Sequence, residues 1–247
     1  NAISNDQLNW LKKQGATKLI DMTDNDEMGV IATDIINKMS DSNGKVFEDN
    51  TFIMPEDVSV LNKTMPFAGC TFAKVVLPES MTTLPESIFR ESLVEEVVLG
   101  SNVDIIEDWA FYDATALKRV LKKDAAGVAQ ESLEGITTFS GMAFYNTASL
   151  ESIVLPDSLT SIGSSMFTFS GVKNVTIGSG ITALVSSMFA DSGLTSIVIP
   201  ETITSVPASA FARSALTCRI TSSEAPVETY AFPAANALNV PCIVKTI

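Results

Sequence analysis

Two short motifs contain residue types at a spacing that is known from catalytic or metal-binding sites. Ser42 and Lys45 have the spacing of a nucleophilic serine and its lysine base, but an Asn-Gly pair between them predicts a turn. Residues 24–27, Asp-Asn-Asp-Glu, are similar to the start of a calcium-binding loop, but Ile35 stands where that loop requires its distal glutamate. We interpret these acids as favouring the positive start of a helix. Neither motif predicts a catalytic or metal site.

Four carboxylates, Glu96, Asp104, Glu107 and Asp108, could supply the acid and base of a glycosidase. Acids are common on exposed repeat turns, however, and no other residues build a sugar pocket around them. The chain contains no histidine, which removes the usual general base, the Ser-His and Cys-His pairs and most zinc sites. Dinucleotide, P-loop and nucleophile-elbow motifs are also missing from the sequence. We therefore predict no catalytic residues, no metal and no cofactor, and a protein that is not an enzyme.

A phenylalanine recurs through most of the chain, and a fixed pattern of apolar residues accompanies it. The intervals are 21–23 residues, except for one of 33, and the positions are Phe67, Phe89, Phe111, Phe144, Phe167, Phe189, Phe211 and Phe232. A constant period of this length is typical of a solenoid, in which one small unit stacks on copies of itself. The sequence therefore predicts stacked columns of side chains in one continuous core.

Each repeat contains a short β-branched run that predicts one strand. Ser196–Ile199 alternates apolar and outward positions, and a proline or glycine follows such runs at Pro78, Gly100, Pro156, Gly178 and Pro200. Residues 202–206 predict a second short extended piece, and residues 207–211 a turn of helix or 3₁₀-helix. We predict a right-handed, curved solenoid with one parallel strand per 22–23-residue repeat and its sheet on the concave side.

The 33-residue interval predicts an insertion. Ile136, Phe139 and Ala143 keep their columns, so the extra residues fall within 123–135. Insertions in solenoids emerge as loops on one face. We expect a solvent-exposed excursion there.

Residues 189–211, Phe-Ala-Asp-Ser-Gly-Leu-Thr-Ser-Ile-Val-Ile-Pro-Glu-Thr-Ile-Thr-Ser-Val-Pro-Ala-Ser-Ala-Phe, carry a resemblance to a known family. They resemble the BspA-like leucine-rich repeat, F-x-x-C/S-x-L-x-x-I-x-I-P-x-x-v-t-x-I-x-x-x-A-F, and the resemblance covers about residues 52–241. It implies a curved leucine-rich-repeat solenoid on a secreted or surface-anchored bacterial protein. Two departures are that the cysteine after phenylalanine occurs only at Cys70, and that glycine replaces proline in two repeats.

The ends of the chain depart from the period. Residues 1–49 contain a capping-box pattern and apolar residues at helical spacing, which predict a small helical cap, and residues 50–247 form the solenoid with a closing unit. The chain starts at Asn1, so a removed leader is compatible with the sequence. Cys70 falls in a core column and predicts a buried thiol. Whether Cys218 and Cys242 pair stays open.

Charge and hydropathy limit the partners. The formal net charge is −13, which argues against nucleic acid and anionic membranes, and no apolar run is long enough to span a bilayer. The sole basic cluster is Lys118, Arg119, Lys122 and Lys123, and we interpret it as a solvated turn rather than an anion site.

The outward positions of the strands form a candidate binding surface on the concave sheet. One row is Lys74, Glu96, Arg119, Ser152 and Asn174, and the next is Val76, Val98, Leu121, Val154, Thr176 and Val198. The second row is mostly apolar, which fits either a binding stripe or the general preference of strands for valine. Trp109 is a second candidate because serine stands at its counterparts, although a local packing role fits it as well.

Two functions follow. In the first, a non-enzymatic bacterial cell-surface or secreted protein binds a protein or glycan through its solenoid. The resemblance adds adhesion as an expectation, with host extracellular matrix as a partner. In the second, the chain is a structural or assembly module of the cell envelope without a soluble ligand. Self-association without ligand binding would favour the second function.

Overall fold

The computed structural model describes residues 51–54, 67–200 and 202–216. The predicted helical cap, the closing unit and the pair Cys218 and Cys242 lie outside these residues. Within them the chain forms twelve short strands: β1 (Thr51–Ile53), β2 (Lys74–Val76), β3 (Thr83–Leu84), β4 (Glu96–Leu99), β5 (Ile105–Ile106), β6 (Arg119–Lys123), β7 (Ala129–Gln130), β8 (Thr138–Phe139), β9 (Ser152–Leu155), β10 (Ser161–Ile162), β11 (Asn174–Ile177) and β12 (Ser196–Val198).

The longer strand of each repeat pairs in parallel with its counterparts. β1, β2, β4 and β6 form one block and β9, β11 and β12 another, which together we call the main sheet. The second strand of each repeat builds a parallel short sheet in the order β3, β5, β8 and β10. Equivalent residues are in register throughout, so the structure is a parallel solenoid, as the period predicts.

The repeated phenylalanines lie on the third side, inside hydrogen-bonded turns that we call the turn ladder. Rings from Phe67 to Phe211 stack with centroids 4.9–5.5 Å apart. The main-chain N–H of each phenylalanine from Phe67 to Phe189 donates to a carbonyl of the next repeat at 2.7–3.1 Å. The rings are buried, so burial and stacking both hold neighbouring repeats together.

The chain around each phenylalanine forms hydrogen-bonded turns of the i to i−3 kind, such as Ala210 to Pro207, but no continuous helix. From Phe89 to Phe189, the residues two before and two after each phenylalanine have positive φ, as at Trp109 (57°) and Asp113 (55°) around Phe111. A left-handed residue ends a helical turn because its carbonyl no longer points along the helix axis. The repeat period alone could not reveal this, because most of these positions are not glycine.

A column of small polar residues follows the phenylalanines by three positions. Thr147, Ser170 and Ser192 each donate their hydroxyl to the carbonyl of the phenylalanine in their own repeat, at 2.7–2.9 Å. Cys70 occupies the same column and is fully buried, which confirms the predicted buried thiol.

The insertion is an exposed hairpin. β7 pairs antiparallel with the end of β6, and residues 124–132 are exposed, as the sequence predicts. Leu133, however, is completely buried and ties the insertion to the core. The main sheet is interrupted here, since β6 pairs with β7 and β9 begins the second block, whereas the short sheet continues from β5 to β8.

Lys122 contradicts the interpretation of the basic cluster as a solvated turn. It is in register with Leu99, in a core column, and only 6% of its surface is exposed. Its Nζ donates to the main-chain oxygens of Ser101 and Glu134, each at 2.7 Å. Burial lowers the pKa of the Lys122 ammonium. Nearby carboxylates, of which Asp104 has the largest effect, act in the opposite direction and raise it.

Candidate functional site

The charged part of the predicted binding row is an ion-pair triad across three strands. Lys74, Glu96 and Arg119 are in register on β2, β4 and β6. Glu96 accepts the Lys74 ammonium at 2.8 Å and the Arg119 guanidinium at 2.5 Å, and its side chain is only 12% exposed. The carboxylate therefore lies between two cations. Arg119, whose side chain is 60% exposed, is more open to solvent than Lys74, at 37%.

The apolar part of the row is not continuously exposed. Val98 is only 2% exposed, so the expectation that its side chain is exposed on the sheet is wrong. Val76 and Leu121 are in register on either side of it and are themselves half-buried, so the flanking strands cover it. Alternation along a strand predicts which way a side chain points, but lateral neighbours decide whether water reaches it.

Beyond the hairpin the same face is exposed and uncharged. Val154 is 40% exposed on β9, which has no strand partner on the side of β6. Ser152, Asn174 and Thr176 are exposed as well, and β12 places Val198 in register with Thr176. The structure therefore divides the predicted site into a charged block with buried valine and an exposed, mostly polar block.

A second candidate surface lies on the turn ladder. It consists of Trp109, Tyr112, Met142, Tyr145 and Phe169, which we call the aromatic patch. The Tyr112 and Tyr145 rings stack at 4.7 Å, and Phe169 meets Tyr145 edge-on at 5.5 Å. Trp109 donates its Nε1–H to the Met142 sulfur at 3.4 Å, three residues before the tyrosines on the same two turns.

The patch is only partly visible in the sequence. Trp109 stands out there because most of its counterparts are serines. Met142 shares the column of Trp109, and the other members lie one or two positions after the repeated phenylalanine, so comparing these columns across repeats would have found them. Trp109 is 37% and Phe169 47% exposed, so neither ring is a buried packing residue.

The carboxylates considered as an acid–base pair have separate structural roles. Glu96 belongs to the ion-pair triad, Glu107 accepts the main-chain N–H of Glu86 at 2.9 Å, and Asp108 accepts that of Gly141 at 2.5 Å. They stabilise contacts between repeats. Over the described ranges no group of acids and cysteines has the arrangement of a metal site.

Other carboxylates link repeats in the same manner. Asp157 accepts hydrogen bonds from the main-chain N–H and the hydroxyl of Ser179. Both bonds lower the pKa of the Asp157 carboxyl, and the main-chain bond has the larger effect. Asp191 forms a two-pronged pair with Arg213, and the hydrogen bonds from the guanidinium lower the pKa of Asp191. These shifts report inter-repeat hydrogen bonds rather than chemistry at a reaction centre.

In the part of the chain that the structure describes, no helix has the length and apolar character needed to cross a bilayer.

One known structure supports the fold. A leucine-rich-repeat protein of T. pallidum is 22% identical and superposes with a TM-score of 0.56, over 66% of this chain and 76% of that one. A leucine-rich cell surface protein of Faecalibacterium prausnitzii is 22% identical, with a TM-score of 0.38, over 81% of this chain and 64% of that one. No curated protein matches this chain.

A family profile described as the BspA-type leucine-rich-repeat region matches residues 45–126 and 129–239, with six copies of the repeat. The match covers most of the chain, and the structure shows the stacked parallel repeats that the pattern requires. The gap in the match falls within the inserted hairpin. The chain therefore belongs to the BspA-type leucine-rich-repeat family.

Proposed function

We propose that the protein is a non-enzymatic cell-surface or secreted repeat protein of a bacterium, which binds a protein partner through the exposed main-sheet face. Family membership supports an interaction role, and the secreted or surface-anchored location that the family resemblance implies agrees with it. Adhesion to host extracellular matrix is the form of this function that we propose to test first.

The observation that carries the proposal is the exposed side of the main sheet around the break. Arg119 stands at the end of the first block, and Val154, Asn174 and Thr176 are exposed on the second. In-register strands place these side chains in rows, so a partner can contact several of them without rearranging the protein. A mixed apolar and polar surface suits a protein contact.

The test uses an array of purified extracellular-matrix proteins and the double variant Val154→Asp, Thr176→Asp. Both positions are exposed, so the fold should tolerate the charges, which Val98 would not. A matched control, Thr182→Asp with Ser186→Asp, adds the same charge at exposed positions outside the main sheet. We expect the first variant to stay folded and lose binding, and the control to keep it.

Equal binding by wild type and the main-sheet variant would place the site elsewhere. Concentration-dependent self-association without binding to any arrayed protein would instead support the structural or assembly function.

A further inference from the structure

We infer that the aromatic patch is a second docking surface, separate from the main-sheet face, and that it takes a segment of a partner protein in which lysine or arginine side chains stand beside apolar ones. This inference goes beyond the proposed function, because it concerns the turn ladder and does not need the main sheet to bind anything.

The first observation is the type of residue at two backbone positions. Trp109 and Phe169 have φ of 57° and 59°, in the left-handed region. Other repeats fill the Trp109 position with Ser87, Met142, Ser165 and Ser187, and the Phe169 position with Glu91, Asp113, Asn146, Asp191 and Arg213. Small polar residues tolerate this conformation well, whereas bulky ones are uncommon in it. The fold therefore requires the backbone shape but not the aromatic rings.

The second observation is exposure without a compensating role in the core. More than a third of Trp109 and almost half of Phe169 are open to solvent. Met142 and the two tyrosines are partly exposed and lie on the turn of Trp109 or the next one. Tryptophan, tyrosine and methionine are enriched in the centre of protein interfaces and carry much of their binding energy. Large aromatic residues at strained, exposed positions fit a binding role better than a stabilising one.

Charge around the patch selects the partner. Six acidic residues stand on the same turns of the ladder or on nearby ones: Glu86, Glu91, Glu107, Asp108, Asp113 and Asp191. Of these, Asp113 and Asp191 are close enough to act on Tyr145. Arg90 and Arg213 are the cations on these turns, and both are already paired, with Glu91 and Asp191 respectively. The pKa of Tyr145 is raised by burial and by the nearby Tyr112, Asp113 and Asp191, which is consistent with a negative surrounding. A partner with cationic side chains is therefore favoured.

The ring geometry favours a protein over a glycan. Sugars commonly need an open ring face on which to stack. Both faces of the Tyr112 ring are occupied. The guanidinium of Arg90, from the preceding repeat, lies 5.0 Å from the ring centroid, and Tyr145, from the following repeat, stacks on the ring. Side chains of a protein segment can instead contact ring edges and the exposed parts of Trp109 and Phe169, while their cations meet the acidic rim.

The experiment uses a random dodecapeptide library displayed on phage and the full chain. The variant Trp109→Ser, Phe169→Asn installs the residue types that other repeats have at these positions, so it should fold like the wild type. The library is selected on the wild type after depletion on the variant, and the selected peptides are measured by calorimetry. We expect sequences with lysine or arginine next to apolar residues, bound about tenfold or more weakly by the variant.

Two further variants test the charge of the patch and its independence from the main sheet. The charge-only variant Glu91→Gln, Asp108→Asn keeps side-chain shape and should weaken binding and its dependence on salt. It also tests the proposal if the aromatic variant fails to fold. The main-sheet variant, Val154→Asp with Thr176→Asp, should leave peptide binding unchanged, whether or not it still binds a matrix protein.

The inference is overturned if selection enriches no peptides, if the enriched peptides are acidic, or if the aromatic and charge-only variants both bind them like the wild type. Loss of binding to a glycan array on the aromatic variant, with no peptide enriched, would assign the patch to sugars and would overturn the inference as well.

Discussion

Lys122 Nζ lies 2.7 Å from the main-chain oxygen of Glu134, and this contact joins the last part of β6 to the chain that returns from the hairpin. The lysine replaces the leucine or isoleucine that other repeats have in its column, as at Leu99. Its ammonium also satisfies the carbonyl of Ser101, so one buried side chain holds two turns of neighbouring repeats.

Replacing Lys122 with methionine should destabilise the protein by about 1–3 kcal/mol, because two carbonyls lose a donor while the apolar stem is kept. Chemical denaturation measures the change. Lys118→Met is the control: Lys118 pairs with Glu95 at an exposed position, so its loss should change stability by less than about 1 kcal/mol. Equal effects of the two variants would show that burial of Lys122 has no energetic consequence.

Phe189→Ala should lower stability by about 3–5 kcal/mol, because it removes a fully buried ring from between Phe167 and Phe211 and leaves a cavity. Ser187→Ala, on the same turn, should have little effect. Urea titrations followed by circular dichroism compare the midpoints. An unchanged midpoint for Phe189→Ala would contradict the role of the stacked column.

Gly171→Ala should destabilise the protein by about 1–3 kcal/mol or more, because the new Cβ would lie 1.9 Å from the carbonyl oxygen of Ala148 in the preceding repeat. Gly193 is the equivalent residue of the next repeat, and a Cβ there would be 3.1 Å from its nearest neighbour, the Gly171 oxygen. Thermal melting of both variants should rank Gly193→Ala as the milder change. The reverse order would contradict the close approach at Gly171.

Limited proteolysis should cut residues 124–132 before it cuts anywhere in 67–121 or 136–216, because a protease needs an exposed segment that it can unfold locally. Mass spectrometry identifies the first site. The nicked halves should elute together on gel filtration, because Phe111 and Phe144 still stack across the cut. An earlier cut within the repeats would show that the hairpin is more protected than its exposure indicates.

Asp157→Asn should reduce stability at neutral pH and have less effect in acid. The folded pKa of Asp157 is lowered by the bonds from Ser179, so its stabilisation is fully present above the unfolded pKa of about 3.9 and is lost as pH falls through the folded pKa. Denaturation of wild type and variant is compared at about pH 6 and about pH 2.5. A difference that stays constant with pH would mean that the carboxylate charge does not contribute.

The period and the apolar columns were enough to predict the solenoid, the strand in each repeat and the position of the insertion. Phe89, Phe144 and Phe189 are buried in one stacked column because a constant spacing places equivalent residues above one another. These features depend on residues close in sequence, repeated many times, so pattern alone carries them.

The candidate surfaces were less predictable because they depend on neighbours from other repeats. Val98 is buried by strands that lie 22–23 residues away on either side, and Lys122 is buried with acceptors supplied by Ser101 and the insertion. The left-handed turns, and therefore the unusual setting of Trp109 and Phe169, were hidden because the repeat seldom marks them with glycine.

The interrupted main sheet has a consequence for protein engineering. At the hairpin, β6 and β9 of the main sheet do not pair with each other, whereas the short sheet and the stacked phenylalanines continue without a gap. The tip around Gly127 is exposed, and a Cβ added at Gly127 would have no atom within 4 Å. A foreign sequence spliced between Ala126 and Val128 would start and finish at nearby points on a scaffold that already accommodates extra length there. The hairpin is therefore a natural position for displaying a grafted epitope.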